Sequence, residues 1–401
     1  MVELFQTKWH KMARIILLLG LLLWGNIVRV NGQASSKWDF KGYLKDMSSF
    51  NYFGDSLWYE NLIHNRLKLV WYPSQEFTFR LEVRNRMFVG DFVKNIPAYG
   101  KIIDSSDDFF TLSGNLVDNG SVIINTAVDR AFVTWNKDNW EIKAGRQRIN
   151  WGVNLAWNPN DWFNAYSFFD FDYEERPGSD AIRVSYYTGV ASSVEIAAKL
   201  ADNVDKFVGA VMWRTNKWNY DIQWLGGLAQ GDLSLGSGWA GNIGNAGFKG
   251  ELSLFIPVID TPTNAGYSSL FLGAISMDYS FKNSLSLNGS LMYNSNGQLN
   301  PTFGFFLLNQ TSGDFTVRNL SPYKWSAFVQ STYQITPLLY SGLAVMTFPG
   351  GNTLFLNPFI TISAAQNLDV DVIGQVFFDE DLTGTYKALT KSFYLRVKWS
   401  F

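Results

Sequence analysis

Residues 75–87 read QEFTFRLEVRNRM. In an extended chain Phe77, Phe79, Leu81 and Val83 fall on one face, and Glu76, Thr78, Arg80, Glu82, Arg84 and Arg86 on the other. A half-buried strand of any protein can show this once. Here the alternation recurs along the chain in segments of about 9 to 14 residues, the length a tilted strand needs to cross a bilayer. The last such segment has Phe393, Leu395, Val397, Trp399 and Phe401 on one face and Tyr394, Arg396, Lys398 and Ser400 on the other. Between segments, short turns such as Pro73-Ser74, Lys137-Asp138, Gly189-Val190 and Thr336-Pro337 alternate with longer connections near 50–59, 89–125, 148–180, 257–267, 294–322 and 379–390. This predicts one all-β domain over 33–401, a transmembrane antiparallel β-barrel that closes at about 18 strands, with 16 as the fallback. The even count requires the glycine-rich stretch 234–256 to be split into two strands.

Composition agrees. Aromatic residues make up 16% and charged residues 17% of the chain, against a charged share of about 25% in soluble domains. Lys8, Lys11 and Arg14 precede the apolar stretch Ile15–Trp24, which is too short to span a membrane, and small residues follow. That order predicts a signal peptide over 1–32, cleaved near Gly32-Gln33. The chain has no cysteine, so disulfides, thiolate metal sites and lipid attachment at Cys are excluded. His10 and His64 are its two histidines, and His10 lies in the export segment. Carboxylate pairs at Asp107-Asp108, Glu174-Glu175 and Asp379-Glu380 fall in connections, where solvated charge is the ordinary reading. No enzyme activity and no cofactor are expected.

The stretch 143–187 is the densest in polar and aromatic residues. Turn signals at Asn158-Pro159, Asn160-Asp161 and Pro177-Gly178 mark a long loop, yet Trp151, Trp157, Trp162, Phe163, Tyr166, Phe168, Phe169, Phe171 and Tyr173 call for burial. The loop is therefore expected to fold toward the lumen and pack on the wall. Its pattern GRQxxxWG, NPxD and ERPGxDAxR is carried by Gly145, Arg146, Gln147, Trp151, Gly152, Asn158, Pro159, Asp161, Glu175, Arg176, Pro177, Gly178, Asp180, Ala181 and Arg183. This resembles the signature region of the alginate-export-type outer-membrane porins and their uncharacterised Gram-negative relatives. The resemblance implies an outer-membrane porin without specifying a substrate. A final strand ending in Phe401 likewise resembles the signal read by the barrel-assembly machinery.

Charge buried against lipid is costly, about 2–4 kcal/mol for Arg or Lys at the midplane, so strand charges should face the lumen. That places Arg66, Lys68, Arg80, Arg84, Arg86, Arg130, Lys143, Arg183, Arg396 and Lys398 on one predominantly basic wall, with Asp369 and Asp371 beside it. Arg146 and Arg148 share parity with Trp140 and Ile142; a bulge at Ala144-Gly145 is expected to turn them inward, toward Glu174, Glu175 and Asp180. The reading is a passive porin in the outer membrane of a Gram-negative bacterium, contacting outer-membrane lipids. It leans toward small anionic solutes such as acidic sugars or organic acids. Nucleic acid is not an expected partner. The alternative is a barrel with a blocked lumen that holds surface glycan or capsule through Trp157, Trp162 and Tyr166.

Overall fold

The computed structural model describes residues 37–104, 108–166, 168–169, 172, 174–262, 264–265, 268–298, 316–349, 353–380 and 385–401, with Glu380 as backbone. The expected signal peptide, Asp107, Phe171, Tyr173 and most of 294–322 lie outside the described residues.

The strands are β1 (Trp38–Phe53), β2 (Ser56–Trp71), β3 (Phe77–Gly90), β4 (Ser113–Asp118), β5 (Val122–Lys137), β6 (Trp140–Gln147) and β7 (Ser179–Gly189). They continue as β8 (Ser192–Lys199), β9 (Val208–Lys217), β10 (Tyr220–Ala229), β11 (Asp232–Ile243), β12 (Ala246–Pro257) and β13 (Leu270–Ser280). The chain ends with β14 (Leu285–Asn294), β15 (Trp325–Thr336), β16 (Leu339–Thr347), β17 (Leu354–Ala365), β18 (Leu368–Glu380) and β19 (Tyr386–Ser400). All pair antiparallel in one sheet, and β19 returns to β1, with Tyr43 opposite Ser400 and Phe53 opposite Thr390. Phe401 completes the seam by exchanging two 2.9 Å backbone hydrogen bonds with Gly42.

These strands build a closed barrel of 18 wall positions. The sheet has one strand more than positions because β4 and β6 share one: β6 pairs with Ala131–Lys137 of β5, and β4 with Ile123–Ala127 above it. β6 is short because the chain leaves the wall after Gln147, and β4 covers the part of β5 that β6 leaves unpaired.

The outward faces carry exposed Phe40, Leu44 and Tyr52 on β1 and Phe77, Phe79 and Leu81 on β3, which is what hydrocarbon solvates. Two expected long connections prove short. The 50–59 region is a turn at Gly54-Asp55, and β18 and β19 consume most of 379–390. The physical reason is that polar residues on an inward face read as loop: Asn51 is a buried inner-face residue of β1. The glycine-rich stretch does split, at Gly244-Asn245 between β11 and β12.

A second inward-facing feature is the connection after β3. Helices α1 (Asp91–Asn95) and α2 (Tyr99–Ile103) bring Val93, Tyr99 and Ile103 against Met47, Leu62, Phe88 and Ile123.

Candidate functional site

The loop joining β6 to β7, residues 148–178, follows the inner face of the wall. Ile149 is buried as the chain leaves β6. The Trp151 indole donates to Glu195 Oε1 on β8 (2.5 Å), and Gln223 on β10 donates to the Trp151 carbonyl (2.6 Å). Glu251 on β12 accepts the backbone N–H groups of Val153 (2.5 Å), Asn154 (2.9 Å) and Asn160 (2.8 Å). Trp162 Nε1 donates to Ser253 Oγ on β12 (3.0 Å). Trp157 and Phe168 meet Phe328 of β15 edge-on, at 6.4 and 4.7 Å. Phe169 packs between Phe355 of β17 (5.0 Å) and Phe377 of β18 (5.5 Å).

The tail of the loop then reaches the charged side. Asp172 Oδ1 accepts from Lys45 of β1 (2.6 Å) and lies 3.7 Å from Arg396 of β19. Glu174 accepts from Lys398 (2.7 Å). Glu175 accepts from Tyr43 (3.1 Å) and lies 3.2 Å from Lys68 Nζ of β2. Arg130 Nη2 of β5 donates to the carbonyls of Glu175 and Arg176, at 2.8 Å each. The contacts run round the wall from β8 to β5, turning back from β15 at Trp157 to β12 at Asn160 and Trp162 on the way, so the segment is a collar. Its first half is held by apolar burial, roughly 2 kcal/mol or more for each large ring removed from water. Its tail is held by charge.

The wall is shaped to receive it. A Cβ on Gly236 of β11 would sit 2.8 Å from Asn160 Oδ1 and 3.0 Å from Trp162 Cζ2. The glycines that made this stretch hard to read as strand thus leave space for the collar. At the collar's start Gly145 takes φ +116°, where a side chain is strained. The pairing of β6 with β5 and β7 runs through this point without a slip, so the expected bulge at Ala144-Gly145 is a glycine kink instead. Arg146 ends on Asp180 (2.9 and 2.8 Å) and also bonds the Phe110 carbonyl (2.5 Å), fastening the start of β7 to the segment that leads into β4. Arg148 parts from Arg146: it bonds Asn150 (3.1 Å) and lies 5.7 Å from the Tyr166 ring.

The strand cations are engaged. Arg66 is fully buried; it bonds Glu82 (2.6 Å) and Asp129, and Glu175 lies 3.5 Å from its Nε. Arg84 Nε lies 3.2 Å from Asp129. Arg86 donates to the Ile103 carbonyl (3.0 Å) and Asn125 (2.9 Å). Arg183 bonds Glu141, with Lys143 3.5 Å from the same carboxylate. Arg396 donates to Asp371 (2.8 Å). Arg80 lies 3.5 Å from Glu82, and its side chain keeps 45% exposure. Sequence parity missed Asp129, which has the opposite parity to Arg130. A register shift opposite Glu82/Val83 adds one residue to β5, so Asp129 and Arg130 both reach the charged cluster.

Burial alone would raise the loop carboxylates. For Asp172 the bond from Lys45 and the nearby His64 ring, its Nδ1 3.8 Å away, outweigh it and hold the group well below the ordinary range; the charges of Arg66 and Lys68 lower Glu175. Asp161 is the opposite case: burial pushes it well above that range against the opposing charge of Arg148, and Glu251 adds to the rise. The sign follows. Asp172 and Glu175 stabilise the docked tail above the ordinary carboxylate pKa of about 4, and lose that contribution as pH falls below it. Asp161 favours the docked loop when protonated, and its contribution fades as pH rises through its raised value. Conductance is therefore expected to rise on acidification below about pH 4, as the tail releases. An Asp172→Asn/Glu175→Gln variant should show the higher conductance already at neutral pH.

No protein-family model matches the chain, and none of the curated proteins does. Solved structures match its fold. OccAB2 of Acinetobacter baumannii is 8% identical, with a TM-score of 0.58 over 92% of this chain and 99% of that one. The outer membrane protein OpdK of Pseudomonas aeruginosa is 11% identical, with a TM-score of 0.56 over 91% and 98%. OccD3 (OpdP) of the same species is 10% identical, with a TM-score of 0.55 over 92% of each chain. The resemblance to alginate-export-type porins rests on the residues of 145–183 alone. At these identities the chain shares with those bacterial proteins the architecture of a closed outer-membrane-type barrel.

Proposed function

We propose that the protein is an outer-membrane porin for passive diffusion of small hydrophilic solutes, narrowed by the 148–178 collar. The observation that carries this is the collar's path: its anchors are spread along the wall, from β8 round to β5, instead of bridging the lumen at one point. Fold likeness to an outer membrane protein supports the location. Binding of surface glycan through Trp157 and Trp162 is disfavoured, because both rings are 4% exposed and packed on the wall.

The channel leans toward anions. Cations outnumber carboxylates by one in the cluster of Lys45, Arg66, Lys68, Arg80, Arg84, Arg396 and Lys398 with Glu82, Asp129, Asp172, Glu174, Glu175 and Asp371. Lys68 and Arg80 keep 35% and 45% side-chain exposure near the short-turn end. Acidic sugars or organic acids are the solute class this favours. The test is single-channel recording in planar bilayers with a salt gradient. An anion-side reversal potential is expected, shifting toward zero in Lys68→Gln/Arg80→Gln. A cation-preferring wild type would reject the anion lean, and absence of any conductance would reject the porin.

A further inference from the structure

We propose that the outward face of β1, β2, β3 and β5 is a contact surface for a second copy of this chain. The inference uses the barrel's place in a membrane and not its conductance, so its failure leaves the porin reading standing. Asp46 decides it. Lys45 and Met47 on either side are buried within the barrel, so Asp46 points outward with Leu44, and it is exposed. It also lies at the depth of the hydrocarbon. On the same face of β1, Phe40 lies toward the short-turn end and Phe50 toward the other. Trp38 stacks on Trp71 at 5.1 Å at the first edge, and Phe50 meets Tyr59 at 5.3 Å near the second. Rings placed this way mark the two membrane interfaces, and Asp46 falls between them.

Asp46 belongs to a polar track. Asn61 of β2 donates to its Oδ1 (2.7 Å) and to Ser48 Oγ (3.3 Å). Asn65 sits between the buried His64 and Arg66, so it faces outward too. Asn85 of β3 donates to Asn65 Oδ1 (3.3 Å), and Thr126 of β5 donates to Asn85 Oδ1 (2.7 Å), each pair directly opposite across its strands. Other outward faces present hydrocarbon: Leu233 and Leu235 on β11, Phe271, Ile275 and Met277 on β13, Phe393 and Leu395 on β19. Among the described residues nothing bonds Asp46 Oδ2. Lipid chains offer no donor to a carboxylate, and headgroups lie beyond the rings. An asparagine amide both donates and accepts. One patch therefore supplies both halves of its own contact, the amide N–H groups of one copy meeting the carboxylate of the other. That is what an isologous two-fold interface requires, and a two-fold along the membrane normal keeps both copies in one orientation.

The chain has no cysteine, so one introduced thiol reports contact between copies without background. The full-length protein carrying Asn61→Cys, oxidised with copper–phenanthroline in phosphatidylcholine vesicles, should run as a linked pair. Leu235→Cys, exposed on β11 on the far side of the wall, should stay unlinked. Adding Asp46→Leu/Asn85→Leu to Asn61→Cys should lower the linked fraction at equal protein density, by about tenfold in the association constant. Equal linking at residues 61 and 235, or linking at neither, overturns the proposal. So does linking at residue 61 that the two leucines leave unchanged. If the leucine variant does not give a heat-modifiable barrel, the comparison of the two single thiols decides alone. The same Asn61→Cys protein is then oxidised in native outer membranes. A product that links this chain to itself supports the second copy, and one that links it only to a different protein overturns it.

Discussion

Glu251→Ala should give a channel of several-fold larger conductance that still assembles as a barrel. Glu251 is fully buried, and its carboxylate accepts three backbone N–H groups from Val153, Asn154 and Asn160, one oxygen serving two of them. Removing it leaves the Val153 and Asn160 N–H groups without an acceptor, at about 1–3 kcal/mol each, while Asn154 keeps its bond to Asn158 Oδ1. Undocking the collar's first half returns those donors to water, so the loop and not the wall gives way. The barrel strands keep their ladders, since the Glu251 side chain is not part of them. Gly236→Val reaches the same end by a different route: its branched side chain occupies the space of Asn160 and Trp162. Both variants should conduct more than wild type in bilayer recordings. Unchanged conductance in both, with a normally heat-modifiable barrel, would show that the collar does not narrow the pore.

Arg66→Met should lower barrel stability by about 3–5 kcal/mol, because it strands buried charge. Arg66 is the shared partner of Glu82 and Asp129 and lies 3.5 Å from Glu175, and those acids are themselves largely buried. The loss of one cation therefore leaves several carboxylates facing one another with less compensation. Arg66→Lys should lose less, since it keeps the charge but cannot fork to two acids. The readout is the thermal transition in detergent at a fixed scan rate, followed by the heat-modified band on a gel. A transition within one degree of wild type for Arg66→Met would show that the cluster does not need this residue. Glu82→Gln added to Arg66→Met should recover part of the loss, because it removes one of the stranded charges.

Local alternation was enough to determine the barrel. Period-2 patterning such as Phe77, Phe79, Leu81 and Val83 against Arg80, Glu82 and Arg84 depends on neighbours two residues apart, so it is written in the chain itself. Eighteen wall positions followed from turn spacing. The aromatic load of 143–187 likewise marked that segment as one needing a surface. What parity could not reach depended on distant strands. Asn51 read as loop until β19 and β2 enclosed it. Asp129 joined the arginines only because a one-residue slip against β3 turned it inward. Glu195, Gln223 and Glu251 carry no motif; each matters because the collar passes it. The wall arginines were legible as inward-facing charges, but their partners were not. An ion pair is set by which strand and which loop arrive at the same volume, and that is decided by closure of the sheet, not by spacing along the chain.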